Sequence, residues 1–175
     1  MDDPVWDATV YSKNRERLLE ADIAQAFFEQ VVRLAGQHEL LSDEHFTVDG
    51  TLIEAWAGQK SFKKKEVSSA PPADDAGNPS VDFRGEKRTN DTHASTTDRD
   101  ARLFKKAKGQ EAKLGYLGHL LAENRNGLAV NTRLTLATGT AEREAALVMA
   151  EEIPGRKRVT LGADKNYDTH DFVRE

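Results

Sequence analysis

Two runs of alternating apolar and polar residues surround a turn sequence in the second half of the chain. The segment KLGYLGHLLAENRNGLAVNTRLTLATG holds these runs near 114 to 122 and 128 to 137, on either side of ENRNG. Alternation with a period of two is typical of half-buried strands, and an Asn-Gly pair favours a tight turn with positive φ. The segment therefore predicts an antiparallel hairpin, and the other elements have to be arranged around the resulting sheet.

Helix and strand patterns precede and follow this hairpin. In chain order we predict an amphipathic helix over 15 to 35 stopped by Gly36, a strand from about Phe46 to Ile53, a helix with Thr140 as N-cap, a strand over about 159 to 163, and the start of a helix near Thr169. Three antiparallel strands and a fourth reached through a helix match the ribonuclease H-like core, an α/β fold with a mixed sheet. We accordingly divide the chain into an N-terminal helical segment, 1 to 44, and a ribonuclease H-like domain, 45 to 175.

The stretch of about 57 to 112 separates the first predicted strand from the hairpin. Its centre, SSAPPADDAGNPS, is rich in Pro, Ser, Ala and Asp, so we expect a long insertion with a mobile centre. Residues 56 to 113 hold 13 Lys and Arg against 9 Asp and Glu, a net charge of +4 within a chain whose net charge is -5. A local basic patch of this kind can attract DNA although the whole chain is acidic, and a solvated charged loop is the alternative.

Asp49 lies inside the first predicted strand, where burying an acid is costly unless a metal or hydrogen-bond donors compensate it. Gly50 follows directly and would allow another backbone or a ligand to approach closely. In a ribonuclease H-like sheet the first strand is central and the fourth lies beside it, so Asp49 and Asp164 would meet although 115 positions separate them. Two converging aspartates suit Mg²⁺ or Mn²⁺, with Asp49 bridging two ions and Asp164 holding one; ordinary strand-end or surface acids are the alternative.

Composition excludes several classes of protein. The chain has no cysteine, which excludes disulfides and thiolate metal sites. It has no basic segment followed by an apolar run at its start, and no window near 18 consecutive apolar residues. We therefore expect a cytoplasmic protein with no membrane partner.

Five strings resemble the DDE transposases of bacterial insertion sequences, and the resemblance covers nearly the whole chain from Val5. They are FTVDGTLIEAW, NDTHASTTDRDARL, KGQEAKLGYLGHLLAENRNGLAV, ATGTAEREAAL and LGADKNYDT. The resemblance implies a DNA transposase that cleaves element ends and transfers strands with Mg²⁺ or Mn²⁺. It also implies that Asp49 and Asp164 are the catalytic, metal-binding acids, since they occupy the matching positions of the first and last strings.

The same resemblance implies that the segment NDTHASTTDRDARLFKK faces double-stranded DNA at transposon ends. Its side chains of the kind that bind phosphates are His93, Ser95, Thr96, Thr97, Arg99, Arg102, Lys105 and Lys106. A solvated loop is the alternative for this segment. A second copy of the chain, or a full-length transposase, is the protein partner that the resemblance suggests.

Two departures from the family pattern concern Asn166 and the third acid. Asn166 stands where the family usually has a small residue, and the family's third acid, in a Tyr-Arg-Glu-Lys signature after a fifth strand, is not present. Glu175 lacks that context, so we assign no third acid. We therefore expect an incomplete sheet without the fifth strand and final helix, and a fragment inactive as it stands; a nonenzymatic DNA-binding remnant that interferes with or regulates the full-length transposase is the alternative.

Overall fold

The computed structural model describes residues 7 to 20, 22 to 65, 81 to 83, 86 to 107, 109 to 155 and 158 to 174. The chain divides into two compact units, Met1–Leu41 and Ser42–Glu175. Across the described ranges, no helix combines the length and the apolar character that a membrane crossing needs.

The first unit contains two helices, α1 over Ala8–Glu20 and α2 over Ile23–Gln37, where the sequence predicted one helix from 15 to 35. Asp22 interrupts the helix with a φ of 51°, in the left-handed region that a right-handed helix cannot continue through. The prediction of one helix was wrong because the apolar spacing continues in register across the break. The C-terminal end of α2 is Gln37, one residue beyond the predicted stop at Gly36. Glu39, just after the helix, takes the left-handed conformation with a φ of 56°.

The second unit is built on a mixed five-stranded sheet, so the chain has the α/β architecture that the element order predicted. Its described strands, in chain order, are β1 His45–Glu54, β2 Phe62–Lys64, β3 Val81–Phe83, β4 Glu86–Arg88, β5 His93–Ser95, β6 Arg102–Phe104, β7 Lys113–Glu123, β8 Ala129–Leu136 and β9 Thr160–Gly162, and its helices are α3 Ala141–Glu151 and α4 His170–Arg174. β1 lies between β7, which is antiparallel to it, and β9, which is parallel. β6 and β8 pair with successive parts of the other edge of β7.

One face of this sheet is covered by α3. Phe46 and Val48 from β1 and Leu121 from β7 pack there against a helix surface of small or flexible side chains, Ala145, Ala146 and Met149. The alternate residues of the same strands point the other way, and among them Leu120 is 43% exposed. The period-two pattern of the sequence therefore separates a buried face under α3 from an exposed face.

The insertion is more ordered than the sequence predicted. β2 pairs with β5, β3 pairs with β4, and β6 joins the main sheet beside β7. A second core cluster holds these pieces and consists of Phe62, Ala101, Leu103, Ala112 and Leu114. These apolar residues are too far apart in sequence to form a periodic pattern, which is why the sequence indicated an irregular segment. The predicted mobile centre, residues 66 to 80, lies outside the described residues.

A buried carboxylate organises the hairpin loop between β7 and β8. Gly127 has the positive φ predicted for it, 72°, but the loop is longer than a two-residue turn. Glu123 is fully buried, and its carboxylate accepts hydrogen bonds from four backbone N–H groups at 2.8 to 3.0 Å, those of Ser42, Arg125, Asn126 and Leu128. Burial by itself would raise the pKa of Glu123, but these donors outweigh it and hold the pKa below its ordinary value.

We expect Glu123→Gln to lower the free energy of unfolding at pH 7 by about 2 to 3 kcal/mol, because the amide nitrogen that replaces one carboxylate oxygen cannot accept a hydrogen bond and leaves two backbone N–H groups without a partner. Chemical denaturation of the full chain measures this change. The exposed Glu151→Gln is the matched control and should stay within about 0.5 kcal/mol of the original chain.

The loss should also depend on pH. Since the folded pKa of Glu123 is lower than its ordinary value of 4.5, its stabilising contribution is complete above that value and disappears as the pH falls through the folded pKa. The difference between the original chain and Glu123→Gln should therefore shrink on acidification. A difference that stayed constant from pH 7 to pH 3 would contradict the role of the ionised carboxylate.

Candidate functional site

Asp49 lies in the central strand of the sheet, on the exposed face opposite α3. Its neighbours Val48 and Gly50 are buried beneath α3, and the alternation of β1 directs Asp49 the other way. The Asp49 carboxylate accepts a hydrogen bond from the Gly50 N–H at 2.8 Å. Asp49 is therefore exposed and has one backbone hydrogen-bond donor. Because the carboxylate is not buried, its place in the strand needs no compensating charge.

Asp164 follows β9 by two residues, and β9 is paired in parallel with β1. Thr47 is the register partner of Gly162. The pairing ends there; Asp49 and Asp164 each lie two residues further along the chain, and the charges of both act on Glu142. The Asp164 carboxylate accepts hydrogen bonds from the backbone N–H of Asn166 at 2.8 Å and from its Nδ2 at 3.4 Å. Asp164 thus caps the 3-10 turn Lys165–Tyr167.

Asn166 does not need the left-handed conformation that its residue type tolerates. It belongs to this right-handed turn, and among the described non-glycine residues only Asp22 and Glu39 have positive φ. Its side chain and backbone instead hold the carboxylate of Asp164. The departure from the family pattern at this position therefore places a hydrogen-bond donor next to one of the two predicted acids.

Glu142, in the first turn of α3, was not among the predicted site residues. Its Oε1 lies 2.7 Å from the point that a Cβ on Gly50 would occupy, so its carboxylate lies against the backbone next to Asp49. The sequence analysis expected a close approach at Gly50 by a backbone or a ligand; the group that approaches is this side chain. The signal was Gly50 itself, because only glycine leaves room there.

The charges of the three acids influence one another. The pKa of Glu142 is raised above its ordinary value, first by burial and then by the negative charge of Asp164, with a smaller contribution from Asp49. The positive charges of Lys106 and Arg143 oppose this shift in part. Three carboxylates from β1, α3 and the segment after β9 therefore lie within electrostatic range of each other.

Tyr167 lies beside the same acids. Its side chain is 3% exposed and packs in the core under α3, in edge contact with Phe172. Within the described part of the chain its hydroxyl has no hydrogen-bond partner. Burial, followed by the negative charges of Glu142, Asp164 and Asp49, raises the pKa of Tyr167, so its hydroxyl stays protonated.

Carboxylate oxygens are the donors that Mg²⁺ and Mn²⁺ prefer, and Asp49 and Asp164 fit such an ion by donor type. In the described ranges, no three His, Cys, Asp or Glu side chains are placed to hold a metal ion together. Glu175, to which the sequence analysis gave no role as third acid, lies outside the described residues.

The predicted DNA-binding residues divide by exposure. His93 and Ser95, in β5, are buried: His93 stacks on Phe62 with ring centroids 5.5 Å apart, and Ser95 exchanges a hydrogen bond with Ser61 at 2.8 Å. The exposed members are Thr96, Thr97, Arg99 and Lys106, and the partly buried members are Arg102 and Lys105.

The segment after β5 is held against the main sheet by one hydrogen-bonded carboxylate. Asp98 accepts a hydrogen bond from the Tyr116 hydroxyl at 2.7 Å and from the backbone N–H of Asp100 and Ala101 at 3.2 Å. The positive charge of Lys106, in the same segment, lowers the pKa of Glu142 in part, so one predicted DNA-binding cation lies within electrostatic range of Glu142.

Comparisons of the chain with protein-family models, with curated proteins and with solved structures found no match.

We expect Glu142→Gln to raise the free energy of unfolding at pH 7 by up to about 1 kcal/mol, because it removes a partly buried charge that two aspartates repel. A group whose folded pKa is raised favours folding below its ordinary pKa, and this contribution is lost as the pH rises through the folded value. The stability gained by Glu142→Gln should therefore vanish below pH 4.5, the ordinary pKa of this side chain. Denaturation of both chains at pH 4 and pH 7 measures it.

Glu144→Gln, in the same helical turn but exposed, is the control and should show no such pH dependence. A Glu142→Gln chain less stable than the original at pH 7 would contradict the repulsion.

Proposed function

We propose that this chain has a ribonuclease H-like fold and derives from a DDE transposase of a bacterial insertion sequence, a metal-dependent enzyme that cleaves DNA at element ends and transfers strands. The observation that carries the proposal is the parallel pairing of β1 with β9, which lies at the edge of a mixed sheet. It brings together two acids that are 115 positions apart, Asp49 and Asp164. The five resembling strings support the same conclusion.

The proposed chemistry is phosphodiester cleavage by water, followed by attack of the freed 3′-hydroxyl on target DNA. Mg²⁺ or Mn²⁺ would be held by Asp49 and Asp164; when bound, the ions activate the nucleophile and stabilise the leaving oxygen. Among the described residues Asp49 is exposed, which leaves its oxygens accessible to a DNA backbone. Lys106 supports this arrangement, since a cation near the acids can hold a phosphate that the carboxylates would otherwise repel.

The DNA surface that we propose is smaller than the predicted set. Phosphate contacts require accessible donors, so we assign them to Thr96, Thr97, Arg99, Arg102, Lys105 and Lys106. His93 and Ser95 are instead positioned to support the segment from within, through the ring stack on Phe62 and the hydrogen bonds of the Ser95 hydroxyl. The proposed partner is double-stranded DNA at element ends, with a second copy of the chain or a full-length transposase as protein partner.

Cleavage of DNA tests the enzymatic role. Because no third acid is assigned, the chain as it stands should not nick duplex DNA taken from the flanks of its coding region in the presence of Mg²⁺ or Mn²⁺, and any nicking that does occur should depend on both aspartates. Asp49→Asn and Asp164→Asn should each lower the rate of such nicking by at least about a hundredfold, because each removes a charge that holds the metal. The exposed Asp171→Asn, in α4, is the matched control and should behave like the original chain.

Measurable cleavage that is equal in the original chain and both aspartate variants would refute the proposed active site. Binding of the same DNA without any cleavage would instead support the nonenzymatic DNA-binding role.

The salt dependence of DNA binding tests the proposed surface. Lys106→Ala and Arg99→Ala should each weaken binding and lower the slope of log K against log salt by about 1, because each phosphate contact releases about one counterion. Titration of labelled duplex at several salt concentrations measures this slope. Lys13→Ala, an exposed lysine of α1, should leave it unchanged. Unchanged slopes in all three variants would rule out the assigned surface.

A further inference from the structure

Trp56, just after β1, is exposed to solvent although both of its chain neighbours pack inwards. The Ala55 N–H donates to the carbonyl oxygen of Leu114 at 2.9 Å. Ala55 and Ala57 both pack against the core cluster that contains Phe62. Trp56 itself is 98% exposed. Its indole is therefore directed away from that core by a backbone that is held in place before and after it.

The 3-10 turn Gln59–Ser61 connects the segment of Trp56 to the proposed DNA surface. The Ser61 carbonyl oxygen accepts hydrogen bonds from the backbone N–H of Thr96 at 2.9 Å and from its hydroxyl at 3.3 Å. The Ser61 hydroxyl also exchanges a hydrogen bond with that of Ser95 at 2.8 Å. Because Thr96 is the first of the proposed phosphate-binding residues, this turn lies directly against the start of that surface.

Lys60, in the middle of the turn, is exposed and forms no ion pair with any described residue. It is separated from Trp56 by so few residues that their Cα atoms are at most about 14 Å apart. Phosphates follow one another about every 3.4 Å along each strand of duplex DNA, so this distance corresponds to roughly four of them. One DNA strand that contacts Thr96 can therefore also reach Lys60 and Trp56.

The surroundings of Trp56 favour a nucleobase over a larger apolar partner. Among the described residues between Ile53 and Leu120, Trp56 is the only large apolar side chain that is exposed. A lipid surface or a protein interface requires a contiguous apolar area, whereas stacking on a base needs a single accessible ring. Lys60 adds the positive charge that attracts a phosphate backbone.

We propose that Trp56 is a stacking platform for an unpaired nucleobase and that Lys60 binds the phosphate next to that base. The ligand is a single-stranded segment continuous with the duplex on the proposed DNA surface, and to that extent the inference rests on the proposed function. Bases inside a duplex already stack on one another, whereas an unpaired base has a free ring face. Trp56 therefore distinguishes an unpaired end from the interior of a duplex.

Fluorescence of the full chain titrated with oligothymidylate tests the stacking. The chain has two tryptophans, so Trp6→Phe keeps only Trp56, and Trp56→Phe keeps only Trp6. Binding should quench the emission of the first variant and leave that of the second unchanged. Trp56→Ala should weaken the binding of labelled oligothymidylate at least about fivefold, and Trp56→Phe, which retains a ring, should weaken it less.

The salt dependence of the same binding tests the phosphate contact. Lys60→Ala should lower the slope of log K against log salt by about 0.7, the value for one contact to a single strand. Lys13→Ala, an exposed lysine of α1, is the control and should leave the slope unchanged. Because the side chains of Trp56 and Lys60 are exposed, thermal melting of their variants should match that of the original chain.

The outcomes separate this inference from the proposed function. If Trp56→Ala binds oligothymidylate like the original chain while Lys106→Ala and Arg99→Ala weaken duplex binding, the stacking site is refuted and the proposed duplex surface stands. If Trp56→Ala loses single-strand binding while Lys106→Ala and Arg99→Ala bind duplex normally, the stacking site is supported and the duplex surface fails. Binding to phosphatidylserine vesicles that requires Trp56, with no binding of oligothymidylate, would assign the residue to a lipid surface and overturn the proposal.

Discussion

The pairing of β1 along both of its edges is the constraint on which the rest of the structure depends. A strand between two partners satisfies its backbone hydrogen bonds within the sheet, so its side chains are restricted to two faces. One face supplies Phe46 and Val48 to the core under α3, and the other carries Asp49. Because β9 pairs in parallel with β1 at the edge of the sheet, the chain leaves β9 towards Asp164 in the same direction in which β1 continues to Asp49.

Glu123 and Glu142 lie in opposite electrostatic environments. Glu123 is fully buried, yet four backbone N–H groups bind it and its pKa is lowered, which is the pattern of an acid that stabilises the folded chain. Glu142 is only partly buried but lies near two like charges, and its pKa is raised. The hydrogen bonds of Glu123 stabilise the loop between β7 and β8. The repulsion at Glu142 lowers the stability of the folded chain, and unfavourable arrangements of charge cluster at functional sites.

Short-range patterns predicted the elements that depend on neighbouring residues. The hairpin strands, the helix after them, β9 and the positive φ of Gly127 follow from alternation, capping and turn chemistry. The same patterns failed at Asp22, where the apolar spacing continued through a left-handed residue, and in the insertion, where β6 and its cluster rely on contacts between distant residues. They also could not distinguish the buried His93 and Ser95 from the exposed Thr96 and Arg99.

The sequence by itself determined where β1, β7, β8 and β9 lie, that Asp49 stands within one strand and Asp164 just after another, and that Gly50 leaves an open position. These are properties of residues close together in the chain. Only the tertiary structure decided what fills that position, because Glu142 is 92 residues away and reaches Gly50 through the packing of α3 on the sheet. The register of β1 with β9 and the burial of the Tyr167 hydroxyl arise in the same way, from contacts that no local pattern specifies.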